Sequence, residues 1–198
     1  MMLRQAVVGV LALSASTAAF AQPADQASEP STLDRRDRSS LSASVGLATP
    51  TGSLGIEYGH ALHPNFEIAA GVGVGYLLFS ALSDDYRPTG HAMIMPRARM
   101  RFGALRLHAG AGVSGGHEQF GYSPFSGDMG VDRMLVLWGH AEAGVGLVSD
   151  AGWFGRATVG ASHTLAKGTA VSTDPGRAPM EHDVGVRPYV GLAFGRTL

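Results

Sequence analysis

Arg97, Arg99 and Arg101 stand two residues apart, a spacing that puts three guanidinium groups on one face of an extended strand. A cation held away from water needs a carboxylate partner, and the surrounding segments offer Glu57, Glu67 and Glu142. Arg106 and His108 lie in the next segment, and His140 shares the one after it with Glu142. Counting inward from the long loop between those two segments sets Arg106 opposite Glu142 and His108 opposite His140. Glu67 falls near Arg101, Glu57 extends the set, and Arg156 and Arg187 carry the same parity in the last two segments. The chemistry these residues point to is an interior layer of ion pairs.

Two sharper chemistries compete for the same side chains. His108, His140 and Glu142 are of the types that bind zinc, but no ligand-spacing motif accompanies them, so no metal and no cofactor is expected. A nucleophile needs a base within hydrogen-bond reach. Ser162 beside His163 points to the opposite face of its strand, and no histidine is followed two residues later by serine. No catalytic residues are therefore expected. A further candidate is a surface contact made by Phe120, Tyr122 and Phe125, interspersed with glycine and serine in the longest loop. Those rings equally suit closure of the loop upon itself. Asp84, Asp85, Glu118, Asp128, Asp132, Asp174 and Glu181 make the long loops acidic, which fits either divalent-cation contacts or simple solvation.

The elements that must position these residues alternate with a period of two. Leu135, Leu137, Ala141, Ala143, Val145 and Leu147 oppose His140, Glu142, Gly144 and Gly146, and Trp153, Ala157, Val159, Ala161 and Leu165 oppose Arg156, Thr158, Gly160 and Ser162. Between them Ser149-Asp150-Ala151-Gly152 is a turn signal, so the pair reads as an antiparallel hairpin. The pattern recurs in eight segments: 41–47, 54–62, 66–78, 92–102, 105–113, 134–148, 153–165 and 183–198. Connections after the second, fourth and sixth segments are short and those after the third, fifth and seventh long. Short turns thus gather at one end and long loops at the other, and only the short first connection, Pro50 to Gly52, departs from this.

Composition bears on which face is inside. A formal charge of −1 gives nucleic acid no bulk attraction, and the absence of cysteine excludes a disulfide scaffold. Charged residues make up only 16% of the 198, and glycines number 28. A soluble, lipocalin-like barrel carrying a small apolar ligand would turn the Arg/Glu/Gly face to water, where about 25–35% charge is usual. The opposite orientation suits the composition better. Leu, Val and Ile would then meet hydrocarbon, while glycine and sparse ion pairs fill a narrow interior. Tyr58, Phe66, Tyr76, Phe102, Trp153 and Phe194 fall toward strand ends, where membrane-interface girdles are expected.

The N-terminus carries secretory features: Arg4, an apolar run from Ala6 to Leu13, and Ala19-Phe20-Ala21, which predict a signal peptide over 1–21. Residues 22–38, with Pro23, Pro30 and the cluster Asp34-Arg35-Arg36-Asp37-Arg38, read as a flexible polar leader on the periplasmic side. The barrel is then 39–198.

The signal ending, the alternation, the loop asymmetry and the final strand Tyr189 to Leu198 together resemble the small eight-stranded outer-membrane proteins, the OmpA transmembrane domain and OmpX-like group. The resemblance implies an all-β, eight-stranded antiparallel up-and-down transmembrane barrel in the bacterial outer membrane, contacting its lipids and lipopolysaccharide. It also implies insertion by the outer-membrane assembly machinery, which reads a terminal strand that usually ends in an aromatic. Here the chain ends in Leu198, with Phe194 four residues earlier. Lipid A deacylases of that membrane use a His-x-Ser pair, where this chain has His163-Thr164-Leu165. A structural or surface-interaction role follows, with an extracellular partner the sequence does not name. Parity points six arginines inward, Arg97, Arg99, Arg101, Arg106, Arg156 and Arg187, against three glutamates, so the lumen is expected to be filled and net positive, not a general porin.

Overall fold

The computed structural model describes residues 38–76, 87–121, 131–172 and 185–198. The predicted signal peptide, the leader up to residue 37, and Tyr122 and Phe125 lie outside the described residues. Among the described residues the strands are β1 (Ser39–Thr49), β2 (Gly52–His63), β3 (Phe66–Gly75), β4 (Thr89–Phe102), β5 (Leu105–Gly121), β6 (Val131–Val148), β7 (Trp153–Lys167), β8 (Val171–Ser172) and β9 (Val186–Thr197). Each long strand pairs antiparallel with its sequence neighbour. β1 closes the ring against β9, from Ser40 opposite Thr197 to Leu47 opposite Val190. Eight strands therefore form a closed wall with no open edge. The two-residue β8, which the alternation did not reveal, pairs outside this circuit with Asp132 and Arg133 of β6.

The wall settles the orientation that period two left open. Ile56 is 57% exposed, Val72 62%, Val159 61%, Leu192 61% and Phe194 62%, whereas Glu57, Arg97, Glu142 and Ser162 are buried. The Leu/Val/Ile face is the outside. A lipocalin-like barrel would have these side chains in its core, so the soluble alternative is not favoured: this exterior is suited to hydrocarbon. Tyr58, Phe66, Phe102, Trp153 and Phe194 ring the short-turn end, where Trp153 stacks on Phe194 at 5.3 Å and Arg196 lies over the Trp153 ring. Tyr76 does not join such a girdle. Its φ of 61° breaks the strand alternation just past β3 and turns the ring toward β5.

Local chemistry explains the connections. Gly103 and Gly152 hold φ of 60° and 81°, which side-chain-bearing residues resist, so each permits a tight reversal. On the inner face glycine serves a different purpose. A Cβ at Gly110 would meet the stem of Arg97 at 2.8 Å, and one at Gly160 would meet the Tyr189 hydroxyl at 2.6 Å. The bare inner face is the space that the large interior side chains occupy.

Candidate functional site

The interior is organised around Arg97, whose side chain is 2% exposed. From β4 its guanidinium reaches across the lumen, donating from Nη1 and Nη2 to the two oxygens of Glu57 on β2, at 2.6 and 2.9 Å. Its Nε donates to Glu142 on β6 at 2.6 Å. A fork of this kind matches carboxylate geometry, and Arg97 engages two carboxylates at once. Arg156 on β7 donates to the same Glu57 oxygen at 2.6 Å, and Tyr189 on β9 donates its hydroxyl to Glu142 at 3.1 Å. Glu67 on β3 lies 3.7 Å from Arg97 and accepts from Arg99 at 3.0 Å, while Arg99 also donates to the Pro64 carbonyl. His108 sits 3.9 Å from Glu142 and within 3.3 Å of the Thr158 hydroxyl. Three arginines thus face three glutamates, contributed by strands all around the ring.

Several pairings differ from those expected. Arg106 lies opposite Gly146 and His108 opposite Gly144, whereas Glu142 faces Gly110 and His140 faces Gly112. The expected register is four residues out because β5 and β6 keep pairing well past their predicted ends, to Gly121 opposite Val131. The midpoint of the true connection is therefore displaced from that of the assumed loop. Glu67 meets Arg99 and Arg97, while Arg101 is exposed at the short-turn end and donates to the Gly103 carbonyl. Arg106, half-buried, stands at the short-turn edge of the layer beside Arg99 and His108. Arg187 lies toward the long loops, where it pairs with Glu118 at 2.7 Å. The positive excess expected of the lumen is thus absent from the central layer, which balances.

Glu118 and Asp132, expected in an acidic long loop, are buried within β5 and β6. Glu118 accepts the Tyr76 hydroxyl, and burial together with that carboxylate pushes the Tyr76 hydroxyl above its ordinary pKa. Phe120, also within β5, packs against the cluster of Met134, Val136 and Trp138 and lies under Arg187 at 5.8 Å. Its ring is thus engaged with this chain's own residues. Sequence reasoning passed over Ser114, whose Oγ lies 2.6 Å from His140 Nε2, and Trp138, stacked on His91 at 5.7 Å. Trp138 shares the inward parity of His140 and Glu142, a signal that was readable; Ser114 lay just past the expected end of its strand. Among the described residues no cluster of His, Asp or Glu could hold a metal ion.

No family model matches the sequence, and no curated protein is significantly similar to it. Among solved structures, the N-terminal β-barrel domain of Pseudomonas aeruginosa OprF superposes with a TM-score of 0.57 at 14% identity, covering 82% of this chain and 98% of that one. Acinetobacter baumannii CarO and a major outer membrane protein from Thermus thermophilus align at TM-scores of 0.41, with 13% and 11% identity. CarO covers 80% of this chain and the Thermus protein 79%, against 97% and 99% of their own. Likeness at the first of these levels is one of fold: the chain is an all-β, eight-stranded antiparallel barrel of the kind found in OprF.

Proposed function

From a closed barrel with an apolar exterior and a charged interior, we propose that this chain is a bacterial outer-membrane protein with a structural or surface-interaction role, neither a general porin nor an enzyme. The observation that carries it is the pairing of two surfaces: exposed Leu, Val, Ile and Phe on the outside, and a balanced Arg/Glu layer across the inside. Outward side chains contact acyl chains, and the aromatic ring at the short-turn end sits at the interface level. That end faces the periplasm and the long loops face outward, where lipopolysaccharide and an extracellular partner are met. Insertion falls to the outer-membrane assembly machinery. Cell fractionation tests the reading: the protein should resist carbonate and salt washing and migrate differently in mild-detergent gels before and after heating. Release by either wash, with no heat-dependent shift, overturns it.

A further inference from the structure

Above the charged layer, toward the long loops, lies a half-open cleft of about 170 Å³. An engineered cavity of about 150 Å³ in another protein takes up benzene, so the space suits a molecule of one ring. Three properties of its wall narrow the chemistry. His91 and Trp138 provide an aromatic side, their rings within 14° of parallel at 5.7 Å. His140, whose Nε2 is engaged by Ser114, keeps its Nδ1 buried and without a partner, in a residue only 7% exposed. A buried polar atom in that condition calls for an occupant that hydrogen-bonds. Charge, finally, is already matched among the described lining residues, because Glu118 accepts from Tyr76 and pairs with Arg187 at 2.7 Å.

We propose that this cleft binds a small, uncharged, single-ring phenolic molecule. Its ring stacks on the His91 and Trp138 side, and its hydroxyl, which both donates and accepts, satisfies His140 Nδ1 in either tautomer. An ion finds no surplus charge in the described lining, and an aliphatic ring loses the stacking.

The chain's two tryptophans make the test direct, since Trp153 lies on the outer rim and Trp138 lines the cleft. Full-length Trp153→Phe protein, purified in detergent, is titrated with phenol while Trp138 emission is followed under selective excitation. A saturable change is expected, with benzene and cyclohexanol at least about tenfold weaker, each lacking one interaction. Ser162→Leu, which fills the cleft, should abolish saturation while preserving the heat-dependent gel shift. His140→Phe, a second variant that keeps a planar ring but removes the unpartnered nitrogen, should bring phenol down to the level of benzene. A linear response that survives both substitutions reports partition into detergent and overturns the proposal. So does equal binding of phenol and cyclohexanol, or no response at all. None of these readouts depends on where the protein resides in the cell, so failure here leaves the membrane reading standing.

Discussion

Arg97 is the residue on which the interior charge balance turns, because Glu57, Glu67 and Glu142 all lie within 4 Å of its guanidinium nitrogens. Its attraction to them offsets the desolvation of all four groups; without it the three carboxylates share a narrow space with one cation fewer to answer them. Arg97→Met should therefore destabilise the folded barrel by about 3–5 kcal/mol, read as a lowered urea midpoint in detergent or vesicles. Adding Glu142→Gln to that variant should recover part of the loss, since Glu57 keeps Arg156 and Glu67 keeps Arg99 while Glu142 loses its arginine. If the Arg97→Met protein unfolds at the same urea concentration as the parent, the layer contributes nothing to stability.

At the level of elements, the β5 and β6 hairpin decides which side chains can meet. Ala109 lies opposite Ala143, both on the outer face, and the chain has no native cysteine to interfere with crosslinking. Opposed Cα atoms in an antiparallel pair are about 4.5–5.5 Å apart, within disulfide reach. Ala109→Cys with Ala143→Cys should crosslink on mild oxidation, whereas Ala109→Cys with Gly139→Cys should not. Four residues along the strand separate Gly139 from the true partner, roughly 13 Å. Crosslinking of the second pair instead would restore the register counted from loop length. The outer face of β7 supports a separate expectation. Val159 is mid-strand and 61% exposed, while Val171 in β8 is equally apolar and 64% exposed but pairs beyond the closed circuit. Val159→Arg should cost about 2–4 kcal/mol in lipid vesicles and Val171→Arg about 0–1, because the penalty of a charge follows its depth in the bilayer. Equal costs would mean that the apolar belt is not where hydrocarbon lies.

For the molecule as a whole, the lumen is stacked in layers. A polar edge holds Arg106 and Arg99, the Arg97 layer spans the middle, Ala69, Met93 and Met95 form an apolar cluster, and the cleft opens toward the long loops. Eight strands leave an interior just wide enough for side chains to fill, and here the Arg97 layer crosses it beneath the cleft. Purified protein in planar bilayers should accordingly show little or no steady conductance. Large, stable openings in most insertions would contradict a plugged lumen.

The sequence alone determined the eight long strands, their antiparallel order and the crowding of short turns at one end, because side-chain parity and turn chemistry are local properties that need no partner to be read. It also named Glu57, Arg97 and Glu142 as inward residues, since a period of two assigns a face to every position. Pairing across strands was another matter. The register of β5 against β6 depends on where pairing stops, and Ser114, Glu118 and Asp132 continue it through residues that look like loop. Neither could the sequence say that Arg97 would reach three glutamates while Arg101, of the same parity four residues on, would emerge at the rim. That outcome is set by how far each strand extends along the barrel and by which glycines across the lumen leave room. Composition, low in charge and rich in glycine, favoured hydrocarbon as the outer solvent, but alternation by itself left the choice open. Alternation divides a strand into two faces, but only closure of the ring puts one of them inside.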